Sequence, residues 1–123
     1  MKKIYYNKLV RDNIQKLIEE KGETCEMRAI SDNEEFKVEL LKKVIEEANG
    51  LAHSRTKNEF LNQYADLMTV MDALLEQMEI TDEEVQNEVE KNIDSKGLFE
   101  NKCFLNWSTD SNYSSGETPQ GLK

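Results

Sequence analysis

Apolar residues recur every three or four positions over two long stretches of this chain. The first stretch runs from Asn33 to Leu51 and the second from Asn58 to Met78, with a short polar loop between them. This spacing places the apolar residues on one face of an α-helix. It therefore predicts two amphipathic helices, with the apolar positions Phe36, Leu40, Leu41, Val44, Ile45, Ala48 and Leu51 in the first and Phe60, Leu61, Tyr64, Leu67, Met68, Met71, Leu74, Leu75 and Met78 in the second.

Two further helices are predicted, one on each side of this pair. One extends from Lys8 to Lys21, where Gly22 ends it, and the other runs from Asp82 to Ile93, before Gly97. Glycine commonly follows the last residue of a helix because it accepts a left-handed backbone conformation. The pattern therefore predicts about four helices in all.

The segments around these helices carry start signals and extended regions. Ser31 to Glu34 and Thr81 to Glu84 both have the spacing of a capping box at a helix start. Cys25 to Ala29 and Phe99 to Trp107 are predicted to be extended and able to pair with each other. The predicted fold class is all-α, an antiparallel helical bundle with a small β appendage.

Length and composition predict one domain. A chain of 123 residues can bury a modest core. Residues 1–107 are assigned to the helical domain, and residues 108–123, rich in Ser, Asn, Thr and Gly, are predicted to be a mobile tail. Since 37% of the residues are hydrophobic and 33% are charged, the two apolar helices are expected to bury part of their surface against another copy, in a homodimer or homotetramer.

Charge and hydropathy narrow the classes of partner. The net charge of -9 argues against a general nucleic-acid binder, because no basic stripe is present to bind the phosphate backbone. No apolar run is long enough to cross a membrane, and no signal-peptide core follows the first residues. A cytoplasmic location is predicted, in which Cys25 and Cys103 are free thiols.

Two carboxylates occupy unusual places in the apolar pattern. Glu47 lies three residues after Val44 and four before Leu51, on or beside the apolar face, and Asp66 is flanked by Ala65 and Leu67. A carboxylate that is partly removed from water costs free energy unless it is paired or binds a cation. These acids therefore indicate either a ligand site or internal ion pairs with lysines and helix-end amides.

The chain also resembles one branch of the all-α nucleoside triphosphate pyrophosphohydrolases, the superfamily of MazG and phosphoribosyl-ATP pyrophosphohydrolase. The opening run Tyr6-Asn7-Lys8-Leu9-Val10-Arg11-Asp12-Asn13-Ile14 carries the likeness most clearly. The other matching segments, in the same order as in the family, are Ser31 to Glu35, Glu46-Glu47, Ala65-Asp66-Leu67 and Lys96-Gly97-Leu98-Phe99. The resemblance spans about residues 4–106 and implies a MazG-like bundle.

The family pattern implies four carboxylates on two facing helices, Glu-x-x-Glu on one and Glu-x-x-Asp on the next. Such a set holds Mg²⁺, which neutralises a triphosphate and helps to activate water for release of pyrophosphate. Glu47 and Asp66 match two of the four positions, but Gly50 and Gln63 stand at the other two, and the neighbouring Asn62 is neutral as well. Half of the acidic set is therefore missing.

This loss changes the function that the resemblance implies. Glu46, Glu47 and Asp66 remain as candidate catalytic residues, and Glu47 and Asp66 as metal ligands for a Mg²⁺ ion that is weakly held or absent. Loss of a charge-stabilising group of this type commonly lowers the rate about a hundredfold or more. The amides of Asn62 and Gln63 offer neutral donors to a phosphate, ribose or base. The pattern thus favours binding of a nucleotide over its cleavage.

Basic residues complete the candidate ligand site. Lys8 and Arg11 near the start of the first helix are candidates for phosphate contacts. The resemblance implies the same role for Lys91 and Lys96 near the end of the last helix. Each has a structural alternative that is equally compatible with the sequence: surface pairing for the first two, and favourable placement at a negative helix C-terminus for the last two.

Three functions remain open from the sequence. The first is a nucleotide-binding protein that has lost most or all hydrolysis and sequesters a small anionic nucleotide, as a small phage-type protein could. The second is an active Mg²⁺-dependent nucleoside triphosphate pyrophosphohydrolase. The third is an acidic module that binds a protein partner.

Overall fold

A computed structural model describes residues 2–110 of the chain. The helices in these residues are α1 (Ile14–Glu20), α2 (Asn33–Ala52), α3 (Lys57–Gln77) and α4 (Asp82–Lys96). The chain divides into two compact units, Met1–Val85 and Gln86–Lys123, and each is described by itself. The all-α prediction is confirmed, whereas the tail prediction falls largely on residues 111–123, outside the described part.

Helices α2 and α3 form an antiparallel hairpin around which the first unit is built. Leu40 of α2 and Val70 and Leu74 of α3 are the buried core, with 4%, 6% and 6% of their surfaces exposed. Partly buried residues packed against these three are Leu9, Phe36, Val44 and Ala73. Burial of these side chains away from water is the main force that holds the two helices together. The period-3.6 prediction gives the helix limits to within one residue at each end and includes Leu40 and Leu74. It omitted the buried Val70, and two residues that it assigned to the apolar faces, Ile45 and Leu61, are 72% and 54% exposed.

The helix starts are capped by short polar side chains. Thr81 and Glu84 form the predicted capping box, with the Glu84 amide donating to Thr81 Oγ1 at 3.1 Å and the Thr81 amide donating to Glu84 Oε1 at 3.0 Å. At the start of α2 the predicted Ser31 cap is wrong, because Asp32 accepts the hydrogen bond from the Glu34 amide at 3.2 Å. The Thr56 cap of α3, which accepts from the Glu59 amide, was not predicted.

A residue with a left-handed backbone follows each of three helices, and one of these is the predicted Gly97, at φ +77° directly after α4. Gly22, at φ +80°, follows α1 as predicted, with its amide and that of Glu23 donating back to Glu19 and Ile18. Glu79, at φ +56°, follows α3 in the same arrangement. A side chain in this conformation is strained, so Glu79 occupies a position that suits glycine.

The first predicted helix is too long at its N-terminal end. The structure begins α1 at Ile14 instead of Lys8, and residues 8–10 have no regular structure. Leu9, in this segment, packs against the hairpin core, and the Ile14 amide donates to the Arg11 carbonyl at 3.1 Å in the turn that precedes α1. Tertiary contacts commonly override local helix preference.

The predicted β appendage is not confirmed. Residues 2–110 contain no strand, and Cys25–Ala29 is irregular. A single pair of short strands is marginally stable in water, which explains why extended sequence alone does not produce one. Cys25 and Cys103 are both free thiols, as predicted.

Candidate functional site

The register of the hairpin places Glu47 and Asp66 at facing positions. Gly50 of α2 contacts Gln63 of α3, and at the other end the Gln77 side-chain amide donates to the Asn33 carbonyl at 3.5 Å. Glu47 precedes Gly50 by one turn, and Asp66 follows Gln63 by one turn. In an antiparallel pair these two residues therefore lie opposite one another, as a shared site on the two helices requires.

Gly50 and Gln63, the two residues that differ from the acidic pattern of the pyrophosphohydrolases, contact each other. Gln63 Oε1 lies 2.5 Å from the position that a Cβ atom on Gly50 would occupy. Such a distance is shorter than van der Waals contact, so the Gln63 side chain lies where a side chain at position 50 would begin. The Gln63 side chain therefore uses space that the lack of a side chain at Gly50 leaves open. A glutamate at position 50 would require the Gln63 side chain to move.

The remaining acids are paired with cations of the same chain. Lys43 Nζ lies 2.9 Å from Glu46 Oε1 and 3.6 Å from Glu47 Oε1, and the Lys43 and Glu47 side chains are only 14% and 15% exposed. Lys8 Nζ lies 2.9 Å from Glu46 Oε2. Three of these four side chains were predicted to belong to a site, and Lys43 was not.

The third acid, Asp66, forms an ion pair with Arg11. Arg11 Nη1 lies 3.5 Å from Asp66 Oδ1 on α3. Together with the previous contacts, this gives a cluster of three carboxylates and three cations, which we call the charge cluster: Glu46, Glu47, Asp66, Lys8, Arg11 and Lys43. Its formal net charge is zero, in contrast to the net charge of -9 of the whole chain.

Two members of the charge cluster belong to the segment from Lys8 to Arg11, which we call the clip. Leu9 packs against the hairpin core, Lys8 binds Glu46 on α2, and Arg11 binds Asp66 on α3. The clip therefore contacts both helices of the hairpin by ion pairs, with an apolar anchor between them.

The ion pairs change the protonation of Glu46. Hydrogen bonds from Lys43 and then from Lys8 lower the pKa of the Glu46 carboxyl below its ordinary value, because both stabilise the ionised form. Glu46 therefore stays negatively charged to a lower pH than a free glutamate does.

The charge cluster does not have the form of a metal site. Mg²⁺ requires oxygen ligands at close to octahedral positions. In the part of the chain that the structure describes, no group of three or more His, Cys, Asp or Glu side chains is placed to hold a metal ion. The oxygen atoms of Glu46, Glu47 and Asp66 face nitrogen atoms of lysine and arginine instead.

The other predicted ligand residues lie in different surroundings. Asn62 is exposed on α3, next to Gln63. In the second unit Lys91 lies 3.5 Å from Glu88, and both side chains are about three-quarters exposed. A shallow cavity of about 310 Å³ in the same unit is lined by Ile93, Lys96, Gly97, Leu98, Glu100 and Asn101. Lys96 is thus a predicted site residue that borders this cavity.

A second cavity lies at the end of the hairpin that is distant from the charge cluster. Its volume is about 400 Å³, and it is lined by Asn33, Phe36, Ala73, Glu76, Gln77 and Glu79. None of the predicted site residues lines it. We assign the candidate site to the charge cluster, because chemistry depends on the convergent charged groups and not on the depth of a surface depression.

Lys43 is the main residue that the sequence prediction omitted. It precedes Glu46 by three residues and Glu47 by four, which is the spacing at which opposite charges on a helix pair. This spacing alone would have predicted that Lys43 pairs with both glutamates. Leu9 was predicted to lie on the apolar face of the first helix; it does pack against the hairpin core, but from a segment that is not helical.

Comparisons with known proteins identify no relative of this chain. No family model matches the chain, and neither a curated protein nor a solved structure shows significant similarity to it. The likeness to the pyrophosphohydrolases therefore depends on the short motifs alone. In residues 2–110 no helix has the length and apolar character needed to span a lipid bilayer.

Proposed function

We propose that this chain is a nucleotide-binding protein on a MazG-like scaffold and that it holds its ligand without appreciable hydrolysis. In this proposal it acts in the cytoplasm by sequestering a small anionic nucleotide. The single observation that supports it best is the contact between Gly50 and Gln63, because the two positions at which the acidic pattern is broken are packed against each other.

The contact also explains how an amide is accommodated between the two helices. The lack of a side chain at Gly50 leaves room for Gln63, whose amide can both donate and accept hydrogen bonds. Gln63 and the adjacent Asn62 are the groups that we expect to contact a ribose, base or phosphate oxygen.

Cations for the phosphate groups are present beside these amides. The Lys8 and Arg11 side chains are 41% and 56% exposed although both are paired with carboxylates. Arginine and lysine with free N–H groups can bind phosphate oxygens without leaving their present partners entirely. Lys91 and Lys96 stay predictions, since they lie in the second unit.

In this proposal the binding of the nucleotide depends little or not at all on Mg²⁺. A two-metal mechanism needs carboxylates on both sides of the scissile bond. Because the predicted metal ligands Glu47 and Asp66 are paired with Lys43 and Arg11, we expect any Mg²⁺ ion that enters with the nucleotide to be held mainly by phosphate and water oxygens.

A homodimer or homotetramer is part of the same proposal. The described residues of the first unit bury three hydrophobic side chains, while a large set on the hairpin remains exposed. An apolar surface of this extent is typical of a protein interface. The exposed residues are Val38, Leu41, Ile45, Phe60, Leu61, Tyr64, Met68 and Met71.

The test is a thermal-shift screen of the purified protein with a panel of canonical, modified and cyclic nucleotides. We expect a rise in Tm with one class and recovery of that nucleotide intact after heat release. Asn62→Ala and Gln63→Ala should each reduce the shift, whereas Gln86→Ala, at an exposed position of α4, should leave it unchanged. No shift with any nucleotide would contradict the proposal and favour an acidic protein-interaction module.

An active pyrophosphohydrolase is the second candidate. It is favoured by the facing positions of Glu47 and Asp66, with Glu46 beside them. It predicts Mg²⁺-dependent release of pyrophosphate that Asp66→Ala abolishes while the helical circular dichroism is retained.

A further inference from the structure

Every carboxylate of the charge cluster has a cation of its own chain within 3.6 Å. Glu46 has two such neighbours, Lys8 and Lys43, while Glu47 is paired with Lys43 and Asp66 with Arg11. The charges are therefore balanced before any ligand binds. This arrangement is the reverse of a site built for a divalent cation, where an excess of negative charge attracts the metal.

We propose that the clip and Lys43 occupy the place that a divalent metal ion would take between the two helices. Lys8 and Arg11 then act as internal counter-ions, which keep α2 and α3 together at this level and exclude a divalent cation from Glu46, Glu47 and Asp66. The proposal uses the same cluster as the proposed function but requires no nucleotide, so each can fail without the other.

The three cations contribute differently. Lys43 is 14% exposed and is held between two carboxylates of its own helix, so it is the fixed charge of the cluster. The Lys8 and Arg11 side chains are about half exposed, and exposed ion pairs stabilise a protein only weakly. Their position depends on the clip backbone, which the packing of Leu9 against the core holds near both acids.

The weak pairs make the exclusion of metal easy to reverse. If Lys8 and Arg11 are replaced by neutral side chains, Glu46 keeps only its shared contact with Lys43, and Asp66 loses the cation that faces it. Three carboxylates then share a single lysine, and the local charge becomes negative by two units. Hard divalent cations should bind to such a cluster of oxygen atoms.

The experiment compares Mn²⁺ binding, measured by water-proton relaxation or electron paramagnetic resonance, in the wild type and in the double variant Lys8→Gln/Arg11→Gln. We expect weak binding by the wild type and about five- to tenfold tighter binding by the double variant. The matched control is Lys16→Gln/Lys21→Gln, which changes the net charge equally at exposed positions in and just after α1. It should bind Mn²⁺ like the wild type.

Two further variants make the result specific to the cluster. Adding Asp66→Asn to the double variant should remove the gained affinity, and Lys8→Arg/Arg11→Lys should behave as the wild type does. If the double variant loses its helical circular dichroism, the single variant Arg11→Gln tests the same point with a smaller expected gain. Tight Mn²⁺ binding by the wild type that Asp66→Asn abolishes would overturn the proposal. Equal affinities of the double variant and its control would overturn it as well.

Discussion

The two halves of the α2–α3 hairpin are stabilised in different ways. Around Leu40, Val70 and Leu74 the helices meet through buried hydrophobic side chains. We call this part the core half. Around Gly50 and Gln63 they meet through a glutamine packed on a glycine, beside the charge cluster. We call this part the loop half, because the loop between the helices follows it.

The difference indicates which half can accommodate function. Hydrophobic burial supplies most of the stability of a small domain, whereas partly exposed ion pairs contribute little. The core half therefore holds the hairpin together, and the loop half can exchange partners at low cost. Polar groups that can change partners are what a ligand site requires.

The largest effect should follow removal of a core side chain. Leu74→Ala should lower the free energy of unfolding by about 2–4 kcal/mol, because it leaves a cavity in a very small core. Urea unfolding followed by circular dichroism measures the change. Leu17→Ala, at a half-exposed position of α1, is the matched control and should cost less than about 1 kcal/mol. Equal costs would contradict the assignment of the core to Leu40, Val70 and Leu74.

An intermediate effect is expected at the Gly50–Gln63 contact in the loop half. Replacing a helical glycine by alanine can stabilise a helix by about 1 kcal/mol. In the wild type, Gly50→Ala should gain less than this, since the Gln63 side chain must move away. In the background of Gln63→Ala the full gain should appear.

A double-mutant cycle on urea unfolding measures this coupling. We expect an interaction free energy of about 0.5–1 kcal/mol between positions 50 and 63. Additive effects of the two substitutions would show that a Cβ atom at position 50 does not meet the Gln63 side chain in solution.

A substitution at the end of α3, in the core half, should change the free energy of unfolding by a similar or smaller amount than the Gly50 and Gln63 substitutions. Glu79→Gly should raise the free energy of unfolding by about 0.5–1 kcal/mol, because it relieves a left-handed conformation that costs other residues more than glycine. Glu76→Gly, inside the last turn of α3, should instead destabilise by about 1 kcal/mol. Thermal unfolding of both variants tests the prediction, and destabilisation by both would contradict it.

The smallest effect concerns the protonation of Glu46. Because its pKa is lowered in the folded state, ionised Glu46 stabilises the fold above the ordinary carboxyl pKa, and this contribution is lost as the pH falls through the lowered pKa. Glu46→Gln should therefore cost less than about 1 kcal/mol at neutral pH and progressively less below about pH 4.

Thermal unfolding of wild type and Glu46→Gln across this pH range provides the measurement. Salt at about 1 M should shrink the neutral-pH difference, since the pairs are partly exposed. A difference that persists undiminished in acid would mean that Glu46 contributes through packing and not through its charge.

The hairpin was the most predictable part of the fold. Its apolar residues repeat with the helical period over about twenty positions in each helix, so local pattern and tertiary packing agree. The facing positions of Glu47 and Asp66 follow from the same pattern once the loop is known to be short.

The contacts of the candidate site could be predicted only in part. The pairing of Lys43 with Glu46 and Glu47 follows from helical spacing, but the contacts of Lys8 and Arg11 depend on a chain path that Leu9 sets by packing against a distant core. The apolar pattern favoured continuing α1 back to Lys8, whereas the structure begins this helix at Ile14. The Gly50–Gln63 contact likewise depends on helix register, which sequence periodicity fixes only to within a turn.

We propose that the chain binds a nucleotide without appreciable hydrolysis, because the acids of the charge cluster are paired with cations of the same chain. The most direct test of this proposal is release of pyrophosphate from a panel of nucleoside triphosphates, with Mg²⁺ at millimolar concentration and protein in excess over nucleotide. We predict that bound nucleotide is recovered intact and that pyrophosphate stays at the level of a protein-free control. Mg²⁺-dependent pyrophosphate release that disappears in Asp66→Ala would contradict the account.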